Sequence, residues 1–115
     1  MVARLAGGAR YGTRDWLYQR ATALYMLAFG VAAFVYLLVQ APSDYPAWQA
    51  LLKHSPVRIA TLIFFLALFV HSWVGMRNVL MDYVRNTGAR LALHAIVITT
   101  LVAYFFWAVQ ILWML

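Results

Sequence analysis

Cysteine is absent from this chain of 115 residues, and only 10% of the residues are charged. Without thiols the chain makes no disulfide and offers no thiolate to zinc or to an iron–sulfur cluster. A soluble domain carries about 25% charged residues and about 45–50% apolar ones, and a short chain has the most surface per unit volume to cover. So little charge excludes an ordinary soluble domain and a disordered tail. Acids are scarcer still: Asp15, Asp44 and Asp82 stand against 9 Lys and Arg. That basic excess does not point to nucleic acid. A nucleic-acid reader gathers its cations into a patch on a folded surface, whereas here they sit in short segments between long apolar runs.

What is abundant is hydrocarbon: 66% of the residues are hydrophobic and 17% aromatic. Ala21 to Val39, Ile59 to Met76 and Leu91 to Leu115 are each free of charge. A bilayer core takes roughly 17–25 residues of helix, and a charge at its centre costs about 2.5–3.5 kcal/mol. The runs do not alternate polar with apolar, so barrel strands are disfavoured. Helices are the remaining way to satisfy a backbone in lipid. The expected fold is an all-α membrane protein of three transmembrane helices, approximately 15–40, 57–84 and 88–114, in one anchor domain over 1–115. The first run exceeds the roughly 7–15 apolar residues of a signal peptide and is read as a retained helix.

Breakers fall in the gaps. Pro42 and Pro46 close the first helix, His54-Ser55-Pro56 precedes the second, and Asn86-Thr87-Gly88 turns into the third. Trp48 is placed at the membrane interface. Arg4, Arg10, Arg14 and Arg20 precede the first run, and Arg77, Arg85 and Arg90 fall in the second connection; the first connection holds Lys53 and Arg58. The positive-inside rule puts the N-terminus and second connection in the cytoplasm and the C-terminus outside.

Few polar side chains enter the apolar runs. His71 lies near the middle of the second, where an ionisable group is a functional hypothesis by default. Two readings stay open: an imidazole hydrogen-bonded to a neighbouring helix, or a neutral imidazole ligating haem iron. His71, Gly75, Asn78 and Asp82 fall on one helical stripe, which Ala67 continues. Its small residues suit either close helix packing or a flat macrocycle. His54 and His94 are read as structural, His94 snorkelling or hydrogen-bonded. A six-coordinate haem on His71 therefore needs its other axial ligand from another chain. Asp82-Tyr83 is either a solvated charge near Arg85 beside a belt tyrosine, or a carboxylate and phenol able to bind and protonate a quinone headgroup. Arg20 is a topology anchor that also suits an anionic group such as a haem propionate. Arg14-Asp15 reads as a surface ion pair worth little.

Arg20-Ala21-Thr22-Ala23, His71-Ser72-Trp73-Val74-Gly75-Met76 and Val79-Leu80-Met81-Asp82-Tyr83-Val84 together resemble the small hydrophobic membrane anchor subunits of bacterial succinate dehydrogenases (respiratory complex II). The resemblance spans the whole chain in length and three-helix layout. It implies half of a heterodimeric helix bundle in the bacterial inner membrane, completed by a second membrane anchor subunit of three helices. That bundle docks an iron–sulfur subunit and a flavoprotein of the tricarboxylic acid cycle on the cytoplasmic face. One such arrangement is a trimer of heterotetramers. FAD and the iron–sulfur clusters belong to the other subunits, so the chain serves an enzyme without doing succinate chemistry. His71 matches the axial ligand of haem b, Tyr83 the tyrosine that hydrogen-bonds ubiquinone, Asp82 the acid associated with proton supply, and Arg20 a basic residue near the propionates. Where some members carry His before the N-terminal Asp, this chain has Arg14. The alternatives are a haem-free anchor of the fumarate-reductase type and a small homo-oligomeric transporter. The transporter reading is disfavoured because no acid lies inside an apolar run.

Overall fold

The structure, a computed structural model, describes residues 2–115, with side chains from Gly12 onward, so the side chains of Arg4 and Arg10 lie outside the described residues. Helices α1 (Val2–Gln40), α2 (Tyr45–Lys53), α3 (Ser55–Tyr83) and α4 (Thr87–Met114) follow one another, with no strand among the described residues. Gly12–Gln40, Ser55–Tyr83 and Thr87–Met114 are long and apolar enough to cross a membrane. The expected all-helical fold with three spans is the one found.

Two details differ. The α1 helix begins at Val2 rather than near residue 15. The first connection, to which the expected helix bounds assigned no helix, contains α2. Proline did not prevent it: Pro46 occupies the first turn, where no backbone donor is missed. Asp44 caps this helix, its Oδ1 accepting from the Ala47 N–H at 3.0 Å.

The ends of the long helices are chemically defined. α1 stops at Ala41, whose φ of 45° is left-handed. The Ala41 N–H donates to Leu37 O at 2.8 Å, and Pro42 then bars continuation. Between α3 and α4, Asn86 Oδ1 accepts from the Ala89 N–H at 3.0 Å. Arg90 reaches back, Nε and Nη2 donating to Val84 O at 3.0 and 2.7 Å. A cation thus rests against the carbonyl end of α3, where the helix dipole favours it.

α3 is the middle of a row. α1 and α4 pack on it from two sides, α2 touches it, and α1 and α4 have no extensive contact with each other. The buried apolar residues are Ala67, Val74 and Leu80 of α3 and Ala108 and Leu112 of α4. The molecule exposes 8513 Å², against about 6,400 Å² expected of a compact soluble monomer of its 13.1 kDa mass. Its apolar surface is left for lipid and protein.

Helices in lipid gain no hydrophobic drive toward one another, so packing geometry and interhelical hydrogen bonds hold them. Aromatic rings supply part of this. Tyr25 and Phe29 of α1 lead to Phe64, Phe65 and Phe69 of α3 and on to Phe105 of α4, with centroids 4.8–6.2 Å apart. Each such pair contributes about 0.5–1.5 kcal/mol beyond area burial.

Candidate functional site

α1 and α3 run antiparallel, and their facing surfaces turn polar toward the C-terminal end of α3. Tyr25 donates its phenol proton to Ala60 O at 2.9 Å, and Phe29 stacks on Phe64. On the other side of that aromatic contact three polar residues of α1 line up. Asp15, Gln19 and Thr22 recur at steps of four and three, which keeps them on one helix face. Across from them stand Arg77, Gly75 and His71.

Asp15 forms an ion pair with Arg77. This corrects the expectation that Asp15 pairs with its neighbour Arg14 on the surface. Adjacent residues on a helix point about 100° apart, whereas Arg77 faces Asp15 across the helix contact. It also moves Arg77 from the second connection into α3, six residues before its end. Gln19 lies over Gly75: a Cβ there would come 3.8 Å from Gln19 Nε2, and Gln19 Oε1 is buried without a partner.

Thr22 meets His71 at 3.1 Å between Oγ1 and Nδ1. The imidazole is half-buried in mid-span and bonded to a neighbouring helix, as one of its two readings required. That bond occupies one ring nitrogen only. Among the described residues Nε2 has no partner. The small residues Ala67 and Gly75 stand one turn to either side. A nitrogen ligand without a competing proton partner, beside low side chains, fits an axial ligand for haem. Among the described residues no three His, Asp or Glu side chains gather.

The His71 stripe divides along its length. His71 and Gly75 are half-buried beside α1, while Asn78 and Asp82 are exposed. Tyr83 ends α3 with 80% of its surface open. Neither Asp82 nor Tyr83 has a hydrogen-bond or ion-pair partner among the described residues, so Asp82 does not pair with Arg85. Tyr83 lies twelve residues beyond His71, about 18 Å along the helix, so the fold does not bring them together. Arg20 is exposed, its guanidinium 5.4 Å from the Trp16 ring centroid.

His94 has a structural place, as expected, but holds it by ring packing. Its ring is half-buried edge-on to Trp73, with centroids 5.4 Å apart, and its Nε2 is buried without a partner. That nitrogen neither snorkels nor is hydrogen-bonded. His54 is exposed between α2 and α3. Sequence reasoning gave no role to Gln19 or Thr22. Their polar spacing along α1 carried the signal, but which helix faced them did not follow from it.

Residues 3–107 match the family described as succinate dehydrogenase/fumarate reductase transmembrane subunit. A succinate dehydrogenase hydrophobic membrane anchor subunit of Coxiella burnetii (strain RSA 493 / Nine Mile phase I) is 45% identical over 105 residues, covering 91% of each chain.

Proposed function

The chain belongs to the succinate dehydrogenase/fumarate reductase transmembrane subunit family, and from that membership we propose that it anchors a succinate:ubiquinone oxidoreductase and contributes half of a haem b site and half of a quinone site. The second anchor subunit supplies the other halves. The iron–sulfur and flavoprotein subunits dock where α3 ends and α4 begins, on the cytoplasmic face of the inner membrane.

The division of labour follows from what the chain has. Succinate oxidation needs a flavin, and in this reading it takes place on other chains of the complex. His71 would hold the haem iron through its open Nε2, and the exposed Arg20 would pair with a propionate. When bound, haem b would supply a one-electron site. Tyr83 donates its phenolic proton in a hydrogen bond to a quinone carbonyl oxygen, polarising it as negative charge develops. Quinol formation takes up two protons, and Asp82 beside Tyr83 relays them from the cytoplasm through water.

The observation that carries this reading is the state of His71: mid-span, fixed by its own chain at one nitrogen and open at the other. The test is a pyridine haemochrome spectrum of the purified complex. A b-type signal in the wild type that disappears in an assembled His71→Ala complex is the expected result. A well-assembled wild-type complex without that signal leaves the haem-free docking role of a fumarate-reductase-type anchor.

A further inference from the structure

The contact between Thr22 and His71 also fixes where protons sit. Thr22 Oγ1 lies 2.5 Å from Tyr18 O and 3.2 Å from Gln19 O, one turn back on its own helix. Both of these atoms are carbonyl oxygens and only accept. A hydroxyl has one proton, and the short approach to Tyr18 O requires that proton to lie between the two oxygens. The lone pairs of Oγ1 are what remains to face His71. The 3.1 Å contact with Nδ1 is then a hydrogen bond only if Nδ1 carries a proton and donates it. A neutral imidazole with its proton on Nδ1 has its lone pair on Nε2.

We propose that Thr22 is a positioning residue for His71. Its hydroxyl, spent on the α1 backbone as donor, accepts from Nδ1–H and so selects the tautomer and ring orientation that presents Nε2 to iron. This deepens the haem reading and rests on it. The relay runs from the Tyr18 carbonyl through the Thr22 hydroxyl to the imidazole, so the backbone of α1 supports the ligand set of α3. Withdrawing the Nδ1 proton toward an oxygen makes Nε2 a stronger donor. A stronger donor favours the ferric state and lowers the reduction potential.

Thr22→Val keeps the branched shape and removes the hydroxyl, while Thr22→Ser keeps the hydroxyl. The experiment purifies the whole complex carrying each variant. It measures haem content by pyridine haemochrome, haem midpoint potential by redox titration, and the low-spin ferric signal by electron paramagnetic resonance. The expected result is a raised midpoint potential and a shifted resonance signal in the valine variant, with serine matching the wild type. Loss of haem in valine that serine restores supports the same role. A valine variant with full haem and unchanged potential and resonance overturns it, as does equal loss of haem in valine and serine, which would mark a packing role. If valine blocks assembly, Thr22→Ala takes its place under the same criteria. Haem in the wild type that His71→Ala removes, together with spectra indifferent to Thr22, sinks this inference and leaves the haem site standing. A wild-type complex without haem sinks both.

Discussion

Asp15 of α1 and Arg77 of α3 form an ion pair across the helix contact, one turn from Gln19 over Gly75 and two from the Thr22–His71 hydrogen bond. The pair lies on the same face of α1 as Thr22, whose hydroxyl meets the imidazole. Asp15 is 20% exposed and Arg77 31%, so the attraction is screened less than at an open surface.

Removing either partner leaves the other charge part-buried and alone. Asp15→Asn and Arg77→Gln each lower the thermal stability of the complex, and the double variant loses less than the two losses added together. A double-mutant cycle should give a coupling of about 0.5–3 kcal/mol, the range for contacting residues. Strictly additive losses would show that the pair contributes nothing.

Gly75 is where bulk is tolerated only up to a limit. A methyl group there meets Gln19 Nε2 at 3.8 Å, an ordinary contact. At the proposed haem site, Gly75→Ala is expected to leave assembly and haem content normal. Gly75→Leu drives Gln19 and α1 away, parts Thr22 from His71, and lowers both haem content and stability, with about 1–3 kcal/mol of strain as for other overpacked sites. Haemochrome spectra of the two variants check this; a normal leucine variant contradicts it.

In the proposed quinone site, Tyr83→Phe removes one hydroxyl from a largely exposed ring. Succinate-driven quinone reduction should fall about tenfold, since about 1.4 kcal/mol of lost hydrogen bonding is a factor of ten in rate. Succinate oxidation with a soluble dye acceptor should persist. Parallel loss of both activities assigns Tyr83 to assembly instead.

Ala41 closes α1 with a φ of 45°, a conformation that costs an L-residue with a Cβ about 1–2 kcal/mol. Ala41→Gly is therefore a stabilising substitution of about 1 kcal/mol, and Ala41→Val a destabilising one. Thermal denaturation of the purified complex reads both signs. A glycine variant less stable than the wild type would show that lost chain stiffness outweighs relieved strain.

The three spans were legible because lipid imposes a crude rule, long stretches without charge, and the chain obeys it. His71 was legible for the same reason, as an exception to that rule. The α2 helix was not, because Pro42 and Pro46 signal a break, and only the Asp44 cap turns the second of them into a helix start. Asp15 was paired with the wrong arginine because proximity along the chain suggests Arg14, while its actual partner stands 62 positions away. The bond between Thr22 and His71 spans 49 positions. Such pairings depend on how far one helix slides along another, and apolar composition does not encode that offset. The exposed position of Asp82 and Tyr83 was one of the two readings the sequence left open, a solvated carboxylate beside a belt tyrosine.

The three long helices stand side by side with α3 between its neighbours, so the row has two open faces and only a small core between its helices. Copies synthesised in excess of their companion would carry an unclaimed imidazole nitrogen and a bare phenol in the bilayer. Matched production of the subunits is therefore a demand written into the shape of the chain.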